Sequence, residues 1–189
     1  MNYLRTLILL AAVAAALMGL AGIASATTFT SPTGTAGTVT IKAESEGGHV
    51  SLANPIANIS CLSSFQGTVE GHGPGATAKS NIGGISFAPC TNSWHMTIVA
   101  VGSLEFHWTS GHDGTVTSTG LTIDATRLGV TCVYATNNTQ IGTFTGGNPA
   151  TFHISASIPV HSGSSALCGA GNTTWEGNYV TKSAIYLDQ

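Results

Sequence analysis

Apolar and polar positions alternate most cleanly over residues 59–69. Ile59, Cys61, Ser63, Phe65, Gly67 and Val69 take one phase, and Ser60, Leu62, Ser64, Gln66 and Thr68 the other. Successive strand side chains point to opposite faces, so the pattern predicts a half-buried β-strand with a cysteine on its inner face. The period recurs along the chain. Val39, Ile41 and Ala43 alternate with Thr40, Lys42 and Glu44, and Gly47-Gly48 then predicts a turn into a return strand through Val50 and Leu52. Ile82, Ile85 and Phe87 lead toward Cys90. Trp94, Met96, Ile98 and Ala100 alternate with His95, Thr97 and Val99, and Leu104, Phe106 and Trp108 with Ser103, Glu105 and His107.

Residues 110–114, Ser-Gly-His-Asp-Gly, predict a hairpin turn into the next strand. Leu121, Ile123 and Ala125 follow on one inner face, and Leu128, Val130, Cys132 and Tyr134 on the next. Residues 141–144 and 152–158 predict two more strands, and Trp175, Gly177 and Tyr179 open the last stretch. Residues 27–36 read as a polar leader with no settled element, and 161–172 as a Ser/Gly-rich loop around Cys168. No window after residue 26 carries a 3.6-residue stripe. Short alternating runs at about ten-residue spacing, separated by Gly-rich turns, predict an all-β antiparallel sandwich or barrel of roughly ten to twelve strands. That sustained alternation sets the chain apart from a disordered one of similar composition.

The first residues change this picture. Arg5 precedes an Ala/Leu-rich apolar run from Leu7 to Leu20, and Ala24-Ser25-Ala26 fits a small-x-small cleavage site. We therefore expect a signal peptide over 1–26 and a single β domain over 27–189, rather than an uncleaved anchor. Loss of Arg5 takes the formal charge from −3 to −4. With no basic patch or polybasic run, neither nucleic acid nor anionic lipid is an expected partner. An exported chain with four cysteines (Cys61, Cys90, Cys132 and Cys168) implies two disulfides. The apolar-Ser/Thr-Cys echo between residues 59–61 and 130–132 favours Cys61–Cys90 and Cys132–Cys168, bridges expected to hold the sheets closed.

Candidate chemistry is sparse. His107, His112 and Asp113 lie in one strand and its adjoining turn, close enough to form a weak metal-site candidate, but their spacing matches no zinc motif. No Gly-x-Ser-x-Gly elbow is present, and eight scattered acids mark no facing carboxylate pair. No catalytic residue and no cofactor are implied. Trp94 and Trp108 share the apolar phase of their strands and are expected in the core. Trp175 follows a Gly/Asn/Thr loop, so Trp175, Tyr179 and Tyr186 are the candidates for an exposed ligand-binding patch.

The strands carrying Ile59-Ser60-Cys61 and residues 128–134 (LGVTCVY), with Leu167-Cys168-Gly169 and residues 174–179 (TWEGNY), resemble small secreted β proteins of actinomycete-type bacteria. In composition the chain is also similar to neocarzinostatin-type carriers, a likeness that implies a two-disulfide sandwich with an apolar ligand in a cleft. The expected function is a secreted or surface-associated, non-catalytic structural or interaction role, with self-assembly through exposed strand edges as one variant. An extracellular binding module for a glycan or apolar small molecule ranks second, and a secreted hydrolase third.

Overall fold

Alternation in the sequence becomes alternation in burial. Val39, Ile41 and Ala43 are buried while Thr40, Lys42 and Glu44 face outward, and residues 151–158 repeat the pattern without a break. The computed structural model of the chain describes residues 28–30, 39–54, 56–69 and 77–188, with 77–83 as backbone only. The expected signal segment lies outside them. The strands are β1 (Thr28–Thr30), β2 (Val39–Ser45), β3 (Val50–Asn54), β4 (Ala57–Val69), β5 (Thr77–Cys90), β6 (His95–Ala100), β7 (Ser103–Ser110), β8 (Asp113–Thr119), β9 (Thr122–Arg127), β10 (Val130–Ala135), β11 (Thr139–Thr145), β12 (Thr151–Ile158), β13 (Thr173–Thr181) and β14 (Tyr186–Asp188). Two short 3-10 turns, Thr91–Ser93 and Ala166–Cys168, complete the described elements. The chain is all-β and antiparallel, with sheets packed on one another, as the alternation predicts.

The main sheet runs β12-β11-β8-β7-β5-β4-β2-β13-β3, and β12 also pairs β13. That pairing, continuous from Thr151↔Val180 to Ile158↔Thr173, closes the sheet into a barrel. The turn at Gly47-Gly48 does not produce the expected return strand. Partners on β4 fall steadily from Val39↔Val69 to Glu44↔Ser64 and then from Val50↔Cys61 to Asn54↔Ala57. β2 and β3 therefore run the same way and share one position in an eight-position ring, with residues 46–49 looped out between them. The loop is held because Ser45 Oγ donates to the Gly48 carbonyl at 3.3 Å and accepts from Ser63 N at 3.2 Å.

The barrel interior is packed with rings. Phe65 meets Phe152 edge-on at 4.9 Å and Tyr179 at 5.3 Å. At one end the β1–β14 ribbon turns Phe29 inward against Phe106 at 4.9 Å, so the polar leader contributes a fully buried residue. Edge-to-face pairs of this kind add about 0.5–1.5 kcal/mol each beyond burial. A second sheet, β10-β9-β6, packs onto the core with Ile123, Ala125, Cys132 and Tyr134 buried. Its β10 edge is covered: Ser165 N donates to Thr131 O, and His161 N to Val133 O, at 2.9 and 2.8 Å. β6 ends the sheet on the other side.

Both expected disulfides form, Cys61–Cys90 and Cys132–Cys168. Neither spans the two sheets. Cys61 and Cys90 are direct cross-strand neighbours on β4 and β5, and Cys132–Cys168 clamps the covering segment to β10. The chain passes between sheet and barrel at Gly102 and Gly120, whose φ values are +62° and +77°. A Cβ on Gly102 would lie 2.2 Å from the Thr119 carbonyl oxygen. Leu128, expected on an inner face, is instead 92% exposed. Arg127 pairs with Val130, so Leu128 (φ +49°) and Gly129 (φ +79°) form a two-residue turn in which both central residues need positive φ. A period-2 reading runs straight through so tight a turn.

Two substitutions separate these constraints. Leu128→Asn creates the Asn-Gly pair this turn favours and puts at the left-handed position a residue whose short polar side chain tolerates it, so it should raise stability by about 1 kcal/mol in urea unfolding. Gly102→Ala combines positive φ with a backbone clash and should cost upward of about 2 kcal/mol in the same assay.

Candidate functional site

A concavity among the described residues lies on the outside of the barrel. β2, β4 and β5 are neighbours, and their registers place Lys42 beside Gln66 and Gln66 beside Gly84, then Glu44 beside Ser64 and Ser64 beside Ser86. All belong to the outward phase of their strands. Gly84 carries no side chain, which leaves a gap in this surface: a Cβ built there meets only Gln66 Nε2, at 4.0 Å. The result is a groove of about 310 Å³, at the lower end of the range of roughly 300–1,000 Å³ usual for ligand sites.

Polar groups converge on this groove from four elements. Lys182, just beyond β13, donates its backbone N–H to the Lys42 carbonyl at 3.2 Å and sets its Nζ 2.6 Å from Glu44 Oε1. Both ends of that ion pair are more than half exposed, so it adds at most about 1 kcal/mol. Its consequence is placement, since it holds a carboxylate and an ammonium at the rim. Ser64 and Ser86 hydroxyls are 2.9 Å apart. Ala43, Phe65 and Ile85 lie beneath the groove, but their side chains belong to the inner phase and pack into the core. Among the described residues Lys42 has no ion-pair partner, which leaves the groove with one uncompensated positive charge. Among the described residues, Lys42 and Lys182 both line this groove.

Sequence reading missed the groove. It placed Lys42 and Glu44 in a polar phase, but the signal that joins them to Lys182 is a contact across roughly 140 positions that no local pattern carries. Nor did the expected aromatic patch survive. Trp175 is 2% exposed and Tyr179 is fully buried, because β13 lies between β12 and β2/β3 in the ring, so its alternate residues turn inward. Tyr186 sits apart, at the β14 ribbon, its ring 5.0 Å from His112. Trp94 is buried as expected, while Trp108 is half-buried with its indole N–H donating to the Gly111 carbonyl at 2.9 Å.

His107, His112 and Asp113 do not converge on a common point; among the described residues no three His, Cys, Asp or Glu side chains do. His107 lies within β7 opposite Thr115. His112 turns instead to Asp188, its Nδ1 2.6 Å from Oδ1, while Thr30 Oγ1 donates to Oδ2 at 2.6 Å. This carboxylate ties the β7–β8 turn to both strands of the terminal ribbon. The pair resembles the orienting half of a catalytic triad, but Thr30 bonds the carboxylate and not the imidazole. Nucleophilic catalysis needs the hydroxyl on the ring.

The barrel interior offers little room. The cavity bounded by Phe65, Leu104, Val116, Ile141, Phe152 and Trp175 is about 20 Å³, scarcely one water's worth. Trp175 on its wall has a buried indole N–H with no hydrogen-bond partner among the described residues, as does Trp94 elsewhere in the core. Tyr179 Oη donates to Ser63 Oγ at 2.8 Å inside the core. Burial pushes the Tyr179 hydroxyl far above the ordinary tyrosine range, against a smaller opposing pull from its hydrogen bond to Ser63. Tyr134 is raised for the same reason, opposed by the Asn54 amide at 2.9 Å.

Comparison with protein-family models, with curated proteins and with solved structures returned no match.

A folded state that holds the tyrosine proton more tightly than the unfolded chain keeps its full stability below about pH 10 and loses it as pH rises further. Melting temperature should accordingly fall above that value. In Tyr179→Phe the alkaline fall should be shallower, while stability at pH 7 drops by about 1–3 kcal/mol because Ser63 is left buried without its partner.

Proposed function

We propose that the protein acts outside the cytoplasm as a non-catalytic interaction module that engages its partner on the outer surface of the barrel. One observation carries this reading: among the described residues the interior cavity behind Phe65 and Trp175 measures about 20 Å³ while the outer groove measures about 310 Å³. An eight-position barrel is just wide enough either to be filled by side chains or to hold one small ligand, and here side chains fill it. An apolar carrier role therefore has less support than a polar surface site. Two disulfides fit an oxidising compartment. Outward positions such as Thr40, Lys42, Glu44 and Gln66 are polar, the reverse of the lipid-facing band of a membrane barrel.

A second reading, self-association, is favoured by the asymmetry of the β10-β9-β6 sheet. Its β10 edge is covered by backbone hydrogen bonds, whereas β6 ends the sheet and carries no charged residue, with Val99 60% exposed. Bare uncharged edges are where strands add.

Thermal shift of the oxidised protein against extracellular polysaccharides and against apolar small molecules tests the first reading, since a specific ligand raises the melting temperature. Stabilisation by polysaccharides alone is expected. One-to-one stabilisation by an apolar ligand, abolished when Ile141→Phe fills the interior, would argue for a carrier instead. Sedimentation at rising concentration checks the second reading, for which a monomer at all concentrations is the losing result.

A further inference from the structure

Resting on the reading of an outward-facing interaction module, we infer that the β2–β4–β5 groove binds a glycan that carries isolated carboxylates, a uronic-acid-type sugar, with Lys42 as the charge anchor. The groove presents three kinds of group at once. Lys42 supplies one ammonium with no counter-charge among the described residues. Glu44 supplies a carboxylate already held in place by Lys182 at 2.6 Å. Gln66, Ser64 and Ser86 supply neutral groups that both donate and accept.

This combination selects by charge count. A phosphate or sulfate ester cluster would meet the Glu44 carboxylate at the rim, and the groove has no arginine to clasp such a group bidentately. A ligand with one negative charge per unit and many hydroxyls suits it better: the carboxylate pairs with Lys42, and hydroxyls donate to Glu44 and exchange hydrogen bonds with Gln66 and the serines. The gap that admits a sugar ring is Gly84. Its Cβ would point into open space with only the end of the Gln66 side chain nearby, so a large residue there fills the groove without disturbing the sheet. The protein's net negative charge also makes a positive groove locally distinctive, and the attraction should weaken with salt.

Isothermal titration with tetragalacturonate, and with its fully methyl-esterified and hence uncharged form, tests the assignment. The protein should be the oxidised full domain, with melting temperature measured for each variant. Tetragalacturonate should bind at low salt, at least about tenfold more tightly than the ester, and lose about tenfold in affinity in Lys42→Gln. Gly84→Leu should abolish binding while leaving the melting temperature and circular dichroism unchanged. Equal binding of acid and ester, with Lys42→Gln indistinguishable from the parent, would overturn the carboxylate assignment and leave the outward-facing reading standing. Binding that survives Gly84→Leu would remove the groove itself. No binding of tetragalacturonate, in a protein that another polysaccharide still stabilises, would overturn the inference but not the reading it rests on.

Discussion

Closure of the main sheet on itself is the constraint from which the rest of the molecule follows. Once β12 pairs with β13 along eight residues, the ring has a fixed circumference, and its inner phase must fill a space of fixed width. Phe65, Phe106, Phe144, Phe152 and Tyr179 do so with edge-to-face contacts at 4.9–6.0 Å. Closure also removes the open hydrogen-bonding edges that an isolated sheet of this length would expose. The cost is irregularity elsewhere. β2 and β3 must share one position, so residues 46–49 leave the wall, and β5 pairs with β7 only from Thr77 to Asn81.

Where β5 runs on past β7, the β10-β9-β6 sheet covers the core, and polar side chains secure the join. Thr136, 4% exposed, receives the Leu121 N–H on its hydroxyl at 3.1 Å and stands 2.9 Å from the Ser118 hydroxyl. Its main chain also exchanges hydrogen bonds with Gly120 and Leu121, both at 2.9 Å. Buried hydroxyls are tolerated because each finds a partner. The disulfides act locally by comparison, one across adjacent strands and one along a sheet edge. Packing between the layers is left to apolar burial and to these threonine brackets.

A filled barrel leaves its concavity on the outside. There the pattern of side chains is set by cross-strand register, and a single glycine at position 84 decides whether the surface is flat or grooved. The chain's few charges gain meaning from this arrangement. Lys182 is oriented by Glu44, while Lys42, two residues from Glu44 on the same face, has no ion-pair partner among the described residues. The groove thus sets an ammonium beside neutral hydrogen-bonding groups in a molecule otherwise sparing of charge.

Much of this was legible in the residues alone. Period-2 alternation identified nearly every strand, the even cysteine count and its echo gave the two bridges, and the absence of a helical stripe gave the class. Those properties are local, written in the spacing of neighbours. Three readings failed where locality fails. Gly47-Gly48 reads as a hairpin whether the chain reverses or merely loops out, Leu128 keeps strand phase through a two-residue turn, and Trp175 follows a loop that says nothing of which way the next strand faces. Partner choice decided each of them: β4 and β13 accept β2 and β3 in one line, Val130 returns onto Arg127, and β13 sits inside a closed wall. The groove belongs with them, because Lys42 and Lys182 meet only after the ring closes. Sequence determined the alternation and the class, while tertiary pairing determined which face of each strand is inside and which distant polar groups share a surface.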